Sequence, residues 1–109
     1  MKDFDQISEE LHEIAKSKGF YDTLNMDEFN SQAKQLAMIH SEVTEVLEAL
    51  RKSKGQHAVV EEIADILVRC FDLYAALKDA GVVDLSLDEV FEEKTEVNKE
   101  RPRMHGVLG

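Results

Sequence analysis

Glycine and proline sit in this chain so as to leave long uninterrupted stretches, and that spacing constrains the fold more than any other feature. Gly19, Gly55 and Gly81 divide the sequence, and the single proline, Pro102, follows the last stretch. Stretches free of both residues, separated by short breaks, are how helices joined by tight turns look in sequence. Within them the apolar residues recur every three or four positions. Leu36, Ile39, Val43, Val46 and Leu50 do so in the second stretch, and Val59, Ile63, Ile66, Cys70, Leu73 and Leu77 in the third. Both read as amphipathic helices.

The first stretch, from about Asp3 to Lys18, carries Phe4, Ile7, Leu11 and Ile14 on one stripe and predicts another helix. A fourth is expected from about Ser86 to Lys99, because Ser86 followed by Glu89 has the form of a capping box. Asp27 is the candidate cap for the second helix. No alternating strand pattern appears. The expected fold is all-α, an antiparallel four-helix bundle whose short connections make neighbours antiparallel. Four short helices leave apolar surface uncovered, so completion by a second copy, as a homodimer or homotetramer, is expected.

At 109 residues the chain has the size of one domain, residues 1–109, and 43% hydrophobic content makes it too apolar to stay unfolded. The formal net charge of -10 repels phosphate backbones, which argues against nucleic acid as a partner. A polyanionic substrate remains compatible with that charge where cations neutralise a carboxylate cluster. The lone cysteine, Cys70, forms no internal disulfide, and its apolar neighbours Leu67, Leu73 and Tyr74 suggest a buried thiol. The start of the chain lacks a signal-peptide pattern, and no apolar run approaches the roughly 18 residues of a membrane span. A cytoplasmic protein that enters no membrane is the expectation.

Two acidic pairs carry the chemistry. Glu42-x-x-Glu45 lies on the second helix and Glu62-x-x-Asp65 on the third. Residues three apart share a helix face, with Cβ atoms about 5–6 Å apart, so each pair can converge. At roughly 100° per residue, Glu42 and Glu62 fall at the edge of their apolar stripes, with Glu45 and Asp65 further round on the same side. Four carboxylates brought together repel unless cations intervene, and an oxygen-only donor set suits a hard ion such as magnesium. The plain alternative is a solvated acidic face, common in a chain with 23 acidic residues. The pairs, however, are embedded in the apolar runs HSEVTEVLEAL and VVEEIADILVRCFDL.

With those runs, the sequence resembles the MazG-like all-alpha nucleoside triphosphate pyrophosphohydrolases. The resemblance runs from about Phe29 to Gly106 and rests on QLAMIHSEVTEVLEALRKSKG, on EEIADILVRCFDL and on the ending RPRMHG, which is similar to that of a short, single-domain branch. It implies hydrolysis of (deoxy)nucleoside triphosphates to monophosphate and pyrophosphate, as in nucleotide-pool house-cleaning, with Mg2+ or Mn2+ as cofactor. Glu42, Glu45, Glu62 and Asp65 are then the metal ligands and catalytic acids.

Lys94, Asn98 and Arg101, spaced by four and three, offer a cation, an amide and a guanidinium to phosphate oxygens as the substrate-binding set. Without the family, basic residues in a last turn simply complement the helix dipole. Arg69 and Asp72 share the side of the third helix that bears Glu62 and Asp65, where an ion pair or structural role is expected. His40 and His105 are candidate phosphate or metal contacts or ordinary packed residues. Phe20 and Tyr21 either stack on a nucleobase or close the end of a core.

Two other readings stay open on the residues. One is a non-catalytic helical module that binds a protein partner and leaves its acids solvated. The other is a di-iron carboxylate bundle, for which Glu9-x-x-His12 is the lone motif of the required form.

Overall fold

Four α-helices follow one another along residues 1–103, the part of the chain described by the computed structural model: α1 (Phe4–Ser17), α2 (Phe29–Arg51), α3 (Gln56–Asp79) and α4 (Leu87–Glu100). There is no strand among the described residues, so the all-α expectation holds. Each boundary has a local cause. Asp3 begins α1 with a full capping box: its carboxylate accepts from the Gln6 N–H at 2.8 Å while the Gln6 side chain accepts from the Asp3 N–H at 2.9 Å. Beyond α1 the chain turns through Gly19 at φ +81°, where a Cβ would come within 3.0 Å of the Asp22 carboxylate. That turn favours glycine for its left-handed backbone, since the exposed Asp22 side chain can shift to admit a Cβ.

The start of α2 differs from expectation. The N-cap is Glu28, without a side-chain cap, and Asp27 plays no part. A local network replaces it: Ser31 Oγ accepts from the Asn25 N–H, Asn25 donates to the Glu28 carboxylate, and Gln32 donates to the Met26 carbonyl. Ser53 at φ 51° and Gly55 at φ 98° close the turn from α2 into α3 and set these two helices antiparallel.

Ser86 caps α4 through the Glu89 N–H, as its sequence suggests. A second device joins this end to α1. Asp5 accepts from Ser86 Oγ at 2.7 Å and from the Leu87 N–H at 2.9 Å, while Asp88 accepts from the Phe4 and Asp5 N–H groups at 2.8 and 3.0 Å. Each helix thus places a carboxylate at the positive end of the other. Phe4 packs edge-on against Phe91 with ring centroids 4.9 Å apart, and against Phe71 at 5.5 Å. From Phe91 to Glu100 every residue of α4 is exposed, so the helix is held at its beginning.

The third helix is central, packing against both α1 and α2. Small residues make the close approach possible: Ser8, Ala15, Ala75 and Ala76 are buried, together with His12. The remaining buried apolar side chains are Met26 and Ala49, so the sealed core is slight. The predicted stripe of α2 is split, with Ile39 and Val46 half-buried while Leu36, Val43 and Leu50 are exposed. Cys70 is exposed rather than buried, because α3 turns this position away from both neighbours; partial desolvation still pushes its thiol pKa up. The radius of gyration, 16.0 Å, exceeds the roughly 13 Å of a compact chain this long. The helices form an open arrangement.

Candidate metal centre

The α2–α3 hairpin brings acids from two helices to one place. Glu42 from α2 and Glu62 and Asp65 from α3 present carboxylate oxygens that all lie within 4.8 Å of one another. Glu42 and Glu62 are half-buried and Asp65 is exposed, which agrees with their positions on the predicted stripes. Glu45, one turn further along α2, is exposed and stands outside this trio. Its charge is nevertheless felt at Glu62. Partial burial, then the charges of Asp65, Glu45, Glu42 and Glu61, hold the Glu62 carboxyl above the usual range. A group in that state gains from any cation that reaches it.

The donor set passes a chemical test for a hard divalent ion: it consists of carboxylate oxygens alone, on two helices whose spacing is fixed by a short turn. One internal cation already touches it. Arg69 Nε donates to Glu42 Oε1 at 2.8 Å, so the ion-pair role expected for Arg69 is realised.

A cleft of about 340 Å³ opens beside the trio between α1, α2 and α3. Glu42, Asp65, Arg69 and Asp72 line its polar side. Phe20 and Ile14, 68% and 51% exposed, stand on the apolar side. Phe20 therefore does not close a core end. Tyr21 does turn inward: its hydroxyl donates to Asp72 Oδ2 at 2.6 Å, and its ring meets the His12 imidazole edge-on at 4.7 Å. Burial, then the hydrogen bond to Asp72 and its charge, push the Tyr21 pKa far up, so the phenol keeps its proton. His12 Nδ1 donates to Asp72 Oδ1 at 2.8 Å, since an ionised carboxylate can only accept.

His12 stands out in the sequence only as half of the Glu9-x-x-His12 motif. In the structure it bonds to Asp72, and neither it nor Glu9 belongs to the gathered acids. Its position was the usable signal: Ser8, His12 and Ala15 recur at four and three residues, the stripe that meets α3.

The proposed phosphate-binding residues lie elsewhere. Lys94 and Asn98 are on the exposed part of α4, and Arg101 is its C-cap, its N–H donating to the Asn98 carbonyl. Among the described residues they share no hydrogen bond or ion pair with the acidic trio, and α4 packs chiefly on α1. His40 is exposed on α2, and His105 lies outside the described residues.

Residues 30–105 match a family model described as the MazG nucleotide pyrophosphohydrolase domain. That segment contains both acidic pairs and Lys94, Asn98 and Arg101, while α1, Phe20 and Tyr21 precede it. Neither the curated proteins nor the solved structures gave a match.

Proposed function

The chain belongs to the MazG nucleotide pyrophosphohydrolase family, and on that premise we propose that it cleaves nucleoside triphosphates between the α and β phosphates, releasing monophosphate and pyrophosphate. The observation that carries this reading is the gathering of Glu42, Glu62 and Asp65 oxygens within 4.8 Å. With Glu45 beside them, these acids would hold magnesium or manganese. When bound, the ion neutralises phosphate charge and lowers the pKa of water for in-line attack.

The protein's own groups have separable tasks. Glu62 and Asp65, one turn apart on α3, supply a fixed pair of oxygens, and Glu42 closes the set from α2. Glu45, one turn along α2 from Glu42, would complete the ligand set. Lys94, Asn98 and Arg101 bind phosphate oxygens. Because α4 does not reach the trio within one chain, they serve the site after α4 shifts or in a neighbouring copy. A homodimer or homotetramer is supported by the exposure of Leu36, Val43, Leu47 and Leu50 on α2 with Val60, Ile63 and Leu67 on α3. The whole chain acts as one domain in the cytoplasm, clearing unwanted nucleotides from the pool; no helix of the described residues is long and apolar enough to cross a membrane.

The test is a screen of common and modified nucleoside triphosphates with magnesium, reading pyrophosphate against orthophosphate. Monophosphate and pyrophosphate in equal amounts, lost on chelation, are expected. Orthophosphate alone, or full turnover without metal, contradicts the proposal.

A further inference from the structure

Asp72 is held more firmly than a structural ion pair requires, and it lines the cleft next to the acidic trio. Its two oxygens accept from different groups, His12 Nδ1 at 2.8 Å and Tyr21 Oη at 2.6 Å. Both donors come from the segment before residue 30, outside the match to the family. The His12 side chain is 7% exposed and that of Asp72 is 17% exposed, so the donor is sealed while the acceptor still meets the cleft. An ionised carboxylate offers about four lone-pair sites, of which two are used here. The remaining acceptor capacity cannot turn away, because both oxygens are anchored.

Position along α3 gives this acceptor its meaning. Asp65 and Asp72 are seven residues apart on one face, which at 1.5 Å per residue spans roughly 10 Å. That is comparable to the reach of a nucleoside from its 5′-phosphate to the edge of its base. A triphosphate held at Glu42, Glu62 and Asp65 would thus direct its base along the cleft toward Asp72, with the exposed ring of Phe20 available to stack on it.

We propose that Asp72 is a specificity-determining residue that accepts a hydrogen bond from the exocyclic amino group of a nucleobase, with His12 and Tyr21 as the positioning residues that aim it. A base with a keto oxygen at that place presents an acceptor to an acceptor, and a partly buried group left unpaired is what makes such sites selective. This inference rests on the proposed nucleotide hydrolysis and adds the class of base.

The experiment compares amino and keto pairs of similar shape, CTP with UTP and ATP with ITP, by kcat/KM for pyrophosphate release. Calorimetric binding of α,β-methylene analogues of the same four is measured alongside. The unaltered protein is expected to favour the amino member by about tenfold or more in at least one pair, both in turnover and in binding. Asp72→Asn, whose amide both donates and accepts, should bring that ratio near unity. Tyr21→Phe leaves the carboxylate charged but frees one oxygen, and should lower the ratio in the same direction, so the proposal stays testable if Asp72→Asn unfolds. Ratios unchanged in Tyr21→Phe, or in folded Asp72→Asn, with only a lower melting temperature, overturn the proposal and leave Asp72 a structural link. Absence of pyrophosphate release with every nucleotide removes the proposed function and this inference together, whereas hydrolysis with no amino preference removes this inference alone.

Discussion

Where α1 meets α3, the Asp72 carboxylate is met by His12 and Tyr21 and small side chains let the helices approach, with Ser8 Oγ the buried side-chain atom left without a partner among the described residues. Where α2 runs beside α3, the acids Glu42, Glu62 and Asp65 crowd one another with Arg69 bonded to Glu42, and large apolar residues remain exposed. In the first contact the carboxylate finds donors within the chain, whereas the second carries unpaired demand, for a cation at the acids and for cover over the apolar face. A family enzyme whose chemistry depends on bound metal would be expected to store its instability in that second contact.

Breaking the acidic contact should have the largest effect. Glu45→Gln and Asp65→Asn are nearly isosteric, and each should reduce pyrophosphate release by about two orders of magnitude or more, several kcal/mol of transition-state stabilisation. Steady-state kinetics at saturating magnesium checks this. The contact of α1 with α3 responds differently. Ala76→Leu places a large side chain at a position 2% exposed and should destabilise by about 1–3 kcal/mol in chemical denaturation. Its magnesium response should stay as in the unaltered protein.

The positions on α4 sharpen the contrast because they belong to neither contact. Lys94→Ala and Arg101→Ala should weaken nucleotide binding by about tenfold each, roughly 1.4 kcal/mol, with the magnesium response nearly intact. Titration of nucleotide at fixed magnesium reads this directly. A smaller effect is expected at the paired helix starts. Asp5→Asn removes a charged cap from α4 and should cost about 1 kcal/mol near neutral pH. Although partial burial alone raises the Asp5 pKa, hydrogen bonds from Ser86, Asp88 and Leu87 outweigh it and the net shift is downward. A lowered native pKa means stability that is present above the unfolded value and lost as pH falls through the native one. The difference between the variant and the parent should therefore shrink in acid below about pH 4.

The helices were legible in the sequence because glycine, proline and the apolar period act locally. The acidic trio was legible because residues three apart on a helix must share a face, which left only the facing of the two helices to be supplied. Four things were not legible, and each depends on structure beyond the helical period. Asp27 was displaced as a cap by the Asn25–Glu28 and Ser31 network, which requires the turn to exist first. Cys70 fits the apolar period of α3, yet that helix has two neighbours, and the position faces neither. His12 looked like part of a metal motif, whereas the packing of α1 against α3 makes it a partner of Asp72, 60 residues away. The mutual caps of Asp5 and Asp88 likewise join residues more than 80 positions apart, beyond the reach of any local pattern.

The claim that the crowded acids await a divalent cation is tested most directly by thermal melting of the unaltered protein and of Glu62→Gln, each with chelator and with magnesium. Burial and neighbouring charge raise the Glu62 pKa, so the stability conferred by its protonated form is present in acid and lost as pH rises through the native value, above the ordinary 4.5. At neutral pH the neutral glutamine variant should then melt at or slightly above the temperature of the unaltered protein in chelator, while magnesium, which stabilises in proportion to its affinity for the folded state, raises the unaltered protein clearly and the variant little. Equal magnesium responses in the two proteins, or no response in the unaltered one, would contradict the account.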